Sequence, residues 1–337
     1  MKWYLKPVLA GLAVTALSLP AGAAERLKMA TIAPGSSAYL VMTTMASAVN
    51  GAQDKYEIKV DATGAATKHV VEVAEGKLDI CMSSPTVHQF LKDGTRMYKK
   101  LKSAPELSKK IGLLYWFPYG AYHALVYADS GIKSLQDIKG KKVFLGPPGG
   151  GAWAAANQWV GAITGYKQGK DFENVKASWG AALQGFQDRQ FDVYFTGGIP
   201  PFPQVEQLAL TSKIRILGLS KAQVDAATPE MLKPTRILGR TLDKIPAGIY
   251  GNNVEPKEDV YTLGATVGVV ARMDLSADAV YEVTKTFWEN IDKIRKTAPF
   301  MARVKIEDAL SADNIKLHPG ALRYYKEIGL KIPAKMM

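Results

Sequence analysis

The chain predicts an α/β protein built as two similar lobes with a cleft between them. Three observations carry this. Short apolar strands alternate with runs whose apolar residues recur at helical spacing. Small residues close most of the strands just before the next helix. Two longer β-like runs, 113–127 and 263–271, are candidates for strands that cross from one lobe to the other. Alternation of this kind implies largely parallel sheets with helices on both faces.

The first elements set the order. Lys2 and Lys6 precede an apolar run, 8–19, that is too short to span a bilayer. Pro20 breaks it, and Ala21-Gly22-Ala23 fits a small-x-small cleavage site. Residues 1–23 therefore read as a cleaved export signal and not as a membrane anchor. No cysteine stands at the junction to take a lipid. Residues 27–31 form an expected strand, 32–38 a loop, and Met42, Met45, Ala46 and Val49 a helical face. Ile58, Val60 and Ala62 alternate as a second strand; 63–66 is a loop, and a helix follows to Gly76. Residues 78–82 make a third strand, ending in Ser83-Ser84-Pro85.

The middle repeats the plan. The expected strands are 143–145, 175–179, 191–196 and 214–219. Ala156, Trp159, Val160 and Ile163 share one helical face between the first two, and Leu183 and Phe186 mark the next helix. The phrase from Glu75 to Ile80 echoes that from Asp188 to Val193, with Asp79 and Asp192 as matching strand-entry residues. From Ala277 on the chain is helical, with Val280, Val283, Phe287, Ile291 and Ile294 on one face.

Composition excludes several classes. The formal charge is +12, of which an export signal would take Lys2 and Lys6. The remaining basic residues are scattered and not interleaved with aromatics, so no nucleic-acid partner is expected. Cys81 is the single cysteine, which rules out an internal disulfide and reads as a buried, inert thiol. His69, His88, His123 and His318 lack metal-ligand spacing, so no metal and no cofactor is expected. The glycines at 146–151 lack the Lys-Ser/Thr of a phosphate loop and the dinucleotide fingerprint. His88 stands one helical turn past Ser84, which alone does not build a nucleophile–base pair.

Ligands of open α/β sheets bind beyond the carboxyl ends of the strands. Here those ends are the loops 31–38, 63–67, 83–86, 146–151, 179–181 and 196–201. Each precedes a helix, whose free N–H groups and positive dipole end favour an anion. The candidate residues are Ser36, Ser37, Ala65, Ser83, Ser84, Gly149, Gly150, Gly151, Thr196 and Gly197, with Tyr39, Trp153, Trp179 and Tyr250 as neighbouring aromatics. None of the six loops contains an arginine, so an anionic group is expected to rest on backbone N–H groups and hydroxyls, above all those of 146–151.

Seven segments in order resemble the TAXI-type solute receptors of TRAP transporters: ATIAPGSSAYL at 30–40, TGAATKHVVEVAEGKLDICMSS at 63–84, KKVFLGPPGGGAW at 141–153, DVYFTGGIPPFPQVEQLA at 192–209, IPAGIY at 245–250, the run 262–290 and LHPGALRYYKEIGL at 317–330. The chain departs from that pattern in Ile32-Ala33-Pro34, where the family is glycine-rich, and in Gly150 and Ala152, where the family has Ser and Thr. The resemblance implies a type II periplasmic binding-protein fold, with two α/β lobes, a two-strand hinge and the ligand cleft between them. It implies a monomeric receptor in the periplasm that captures a small amino acid or dicarboxylate. That solute would pass to the membrane subunits of a sodium-driven TRAP transporter. Carried over by position, the ligand contacts would be Ser37, Tyr39, Ser83, Ser84, Gly149, Gly150, Gly151, Thr196 and Gly197. The expected lobes are 24–122 with 266–337, and 123–265. A ligand sensor feeding a membrane kinase and a serine-dependent hydrolase remain the alternatives; the chain is read as a binder, not an enzyme.

Overall fold

The computed structural model describes residues 24–337, and the expected export signal at 1–23 lies outside the described residues. The chain opens with β1 (Glu25–Ala30), α1 (Ser37–Ala52), β2 (Tyr56–Asp61), α2 (Ala66–Ala74), β3 (Ile80–Ser83), α3 (Pro85–Lys92) and α4 (Ala104–Ser108). The long β4 (Ile111–Tyr127) leads to β5 (Lys142–Phe144), α5 (Gly151–Thr164), β6 (Glu173–Asn174), α6 (Trp179–Gln187), β7 (Val193–Gly198), α7 (Pro203–Thr211), β8 (Ile214–Leu217) and α8 (Lys221–Asp225). Then come β9 (Arg240–Ile245), β10 (Val254–Glu255), β11 (Val260–Arg272), α9 (Ala277–Glu289), α10 (Ile291–Thr297) and α11 (Pro319–Glu327).

The pattern of apolar residues explains the elements. In β1, Leu27 and Met29 point inward while Arg26 and Lys28 are exposed, the period of a half-buried strand. In α1, Val41, Met42, Met45, Ala46 and Val49 are all buried, and the Ser36 hydroxyl accepts the Tyr39 N–H as the N-cap. Val280, Val283 and Phe287 bury the inner face of α9. The Phe287 ring stacks on Tyr115 of β4, with centroids 4.8 Å apart.

The strands form one hydrogen-bonded network whose main path runs β2-β1-β3-β11-β4-β7-β5-β6. β2, β1 and β3 are parallel at one end, and β7, β5 and β6 are parallel at the other. Antiparallel β4 and β11 join the two ends. Residues Thr266 to Arg272 of β11 pair with Ile111 to Pro118 of β4. Beyond that point both strands change partners. β11 pairs with β9 from Val260 to Ala265, while β4 pairs with β7 from Ala121 and with β8 from Ala124. The two long runs thus cross between the halves of an α/β fold with two lobes. The expectation of largely parallel sheets needs correction: the centre is antiparallel, because the chain passes out and back through both halves.

The internal echo has a physical counterpart. Asp79 Oδ2 accepts the Lys28 N–H of β1 at 2.8 Å, and Asp192 Oδ2 accepts the Lys142 N–H of β5 at 2.8 Å. Each aspartate secures the neighbouring parallel strand. Three local expectations differ. Trp179 begins α6 instead of ending a strand, and only β6 precedes it. α1 begins at Ser37, inside the expected loop. β9 was not anticipated, because Thr241, Asp243 and Lys244 dilute its apolar signal.

Candidate ligand-binding cleft

A cavity of about 790 Å³, open mouth included, lies where the two halves meet. The first half contributes Ile32, the start of α2 at Ala65 and Ala66, and the start of α3 at Ser84, Thr86 and Val87. Facing them are Gly150, Gly151 and Ala152 at the start of α5, and Trp179 at the start of α6. Tyr119 and Tyr122 of β4, Arg240 of β9 and residues 265–267 of β11 complete the wall. Direct bonds also join the two halves. Thr86 Oγ1 donates to the Leu238 carbonyl at 2.6 Å, Thr196 Oγ1 to the Gly35 carbonyl at 2.7 Å, and Thr67 Oγ1 to the Gly149 carbonyl at 3.4 Å.

Four helix starts in one wall make it electropositive. The Ser84 hydroxyl caps α3 by accepting the Val87 N–H at 3.1 Å, and Ser178 caps α6 through the Ala181 N–H at 3.3 Å. α2 and α5 begin at Ala65 and Gly150 with no side-chain cap. Helix geometry leaves the first-turn N–H groups of Ala66, Gly151 and Ala152 without intrahelical partners. The Gly150 N–H is already committed to the Pro147 carbonyl at 3.1 Å, so an anion at α5 would meet the residues after it.

Arg240 supplies the full charge. It is 8% exposed, and Nη1 donates to Gln158 Oε1 at 2.6 Å. Among the described residues the cavity wall contains no acid and no other basic side chain. Burial lowers its pKa below the ordinary guanidinium value; Tyr122 opposes that shift and Arg96 adds to it. The six loops hold no arginine, as the sequence shows, but β9 carries one into the wall from outside them. On β4, the Tyr119 hydroxyl is buried without a hydrogen-bond partner. The Tyr119 ring needs Gly197 opposite, since a Cβ there would stand 1.7 Å from its Cε1.

Of the residues expected from sequence, Ala65, Ser84, Gly150, Gly151 and Trp179 come together in this wall. The others stand behind it or beside it. Ser36 caps α1, and the Ser37 hydroxyl donates to the Tyr119 carbonyl. Tyr39 lies half-buried on α1, and Ser83 is buried in β3. Thr196 and Gly149 join the halves through the bonds given above, and Gly197 pairs with Tyr122. Trp153 Nε1 donates to Gln168 Oε1 at 3.0 Å. Tyr250 is buried in a separate network: its hydroxyl accepts the Phe202 N–H at 3.0 Å and donates to His123 Nε2 at 2.7 Å. His123 Nδ1 in turn donates to the Ala121 carbonyl, which fixes the neutral tautomer. Among the described residues no side-chain hydrogen bond joins the Ser84 hydroxyl to the His88 ring; the His88 N–H donates to the Ser84 carbonyl at 2.9 Å as part of α3, and burial lowers the His88 pKa to about 4. Sequence reasoning missed Arg240, Tyr119 and Tyr122. The tyrosines carried a signal in the aromatic run of β4; Arg240 carried none.

The sequence pattern of the NMT1-like family matches residues 29–329. The chain belongs to the NMT1-like family. Among solved structures, this NMT1-like chain is similar to a periplasmic transporter at 16% identity, covering 90% of this chain and 93% of the other with a TM-score of 0.54. That likeness shows a shared fold. Weaker likenesses are to the alkanesulfonate-binding protein SsuA from Xanthomonas axonopodis pv. citri bound to MOPS (16% identity, 91% and 85% covered, TM-score 0.48) and to a TRAP periplasmic solute-binding protein from Sulfitobacter sp. NAS-14.1 with bound β-D-galacturonate (10% identity, 91% and 88% covered, TM-score 0.46).

Proposed function

We propose that this NMT1-like protein is a periplasmic solute receptor of the TAXI type. It captures a small organic anion between its lobes and delivers it to the membrane subunits of a TRAP-type secondary transporter. One observation carries the reading: Arg240, buried and bonded to the neutral Gln158, stands in the wall of a partly open cavity that also holds four helix starts. A buried cation without a counter-ion is costly, and a bound carboxylate supplies what is missing. The place where β4 and β11 change partners supports lobes of 24–122 with 266–337 and 123–265. The protein acts as a monomer and leaves its solute unaltered.

Native mass spectrometry of the protein, purified without denaturation after exposure to an extract of its host, tests the reading. The expected result is one adduct of defined small mass that is lost on unfolding. Protein that emerges bare from such an extract, repeatedly and at neutral pH, counts against a receptor role.

A further inference from the structure

The charge pattern of the cavity narrows the solute further than the receptor reading on which this step rests. An amino acid would bring an ammonium group, which needs a carboxylate or a cluster of acceptors when water is removed. Among the described residues the wall has no acid, and its single ionic group is the cation Arg240. A dicarboxylate would bring a second full charge, for which the wall has only the partial charge of its helix starts and no second cationic side chain. Apart from Arg240, a few hydroxyls and the helix-start N–H groups, the surface facing the solute is apolar, with Met82, Val87, Phe90, Ala155, Trp179 and Val267 as its larger patches. Arg240 has five N–H donors in a planar fork, of which Gln158 takes one, so a bidentate carboxylate can be gripped without displacing the existing bond. We infer that the solute is an organic monoanion with an apolar body and no amino group, its anionic group on Arg240 and its body against the aliphatic and aromatic wall. The amino-acid and dicarboxylate classes implied by the family resemblance fit this wall less well.

Calorimetric titration of the dialysed full-length mature protein with four matched probes tests this. They are 4-methylpentanoate, its amino derivative leucine, the dicarboxylate glutarate and the neutral 4-methylpentanamide. The expected order places 4-methylpentanoate about tenfold or more ahead of each of the others. Arg240→Gln should weaken the monoacid by a similar factor and leave the amide within about twofold. A circular-dichroism melt checks the fold of the variant, and if it does not fold, the acid-to-amide ratio on the native protein decides. Leucine or glutarate binding more tightly than 4-methylpentanoate overturns the proposed class and leaves the receptor reading standing. Equal affinity of acid and amide also overturns it. If no probe binds, the class falls, and the receptor reading falls with it only when the host extract also yields no retained solute.

Discussion

Thr86 and Leu238 stand 152 positions apart in the chain, yet the Thr86 hydroxyl donates to the Leu238 carbonyl at 2.6 Å. The bond ties the start of α3 to the turn that presents Arg240, and so links closure of the lobes to placement of the charge. Thr86→Val keeps the shape and removes the donor. A net loss of about 1 kcal/mol is expected, or about a fivefold shift toward the open form. Small-angle scattering should show a larger radius of gyration for the variant. An unchanged radius would mean that the bond does not help hold the lobes together.

Trp179 lines the cavity, whereas the Trp153 indole N–H is held by Gln168. A solute that quenches or shifts intrinsic fluorescence should lose most of that effect in Trp179→Phe and keep it in Trp153→Phe. The opposite result would move the binding surface to the far side of α5.

Gly197 faces the Tyr119 ring with no room for a side chain. Gly197→Ala should cost about 1–3 kcal/mol of stability or more, through displacement of the ring and of the β4–β7 pairing. Urea unfolding measures this. A midpoint like that of the unmodified protein would show that Tyr119 can move aside freely.

All four histidines are buried with lowered pKa values, and three of them carry the larger part of the response to acid. Burial lowers His88, His123 and His318 from an ordinary value of 6.5 to about 4. Between those values the unfolded chain binds the protons and the folded chain does not. Stability therefore falls as pH drops from 6.5 to 4, by up to about 3 kcal/mol for each histidine, and this contribution levels off below. Urea midpoints taken across that range should decline steeply. A flat profile would show that these imidazoles protonate inside the folded protein.

Much of the fold was legible because burial and periodicity coincide. Met42, Met45, Ala46 and Val49 announce α1, and the continuous apolar runs of β4 and β11 announce strands covered on both faces. Even the Asp79–Asp192 echo survives as a pair of equivalent strand anchors. The helix starts at Ala65, Ser84 and Gly150 follow from the rule that ligands gather at the carboxyl ends of strands. What sequence could not show is which of many charged residues folding would bury. Arg240 opens a weakly apolar strand and resembles any surface arginine until β9 is laid against β11. Trp153 and Tyr250 mislead for the converse reason: proximity in sequence to a binding loop leaves open which face of the helix or turn an aromatic occupies.

The passage of β4 and β11 through both halves also limits how such a protein can be rebuilt. A chain whose lobes hung on a loose tether could be recombined by trading one lobe for a homologue's. Here a crossover near residue 119 or 265 would splice a strand in the middle of its ladder, and each donor would have to match the other's register residue for residue. Tolerated exchanges should instead involve whole βα units at the outer edges, such as β2 with its flanking helices, where one ladder is replaced at a time. New specificities would then arise by substituting wall residues on an inherited frame, and engineering should follow the same route.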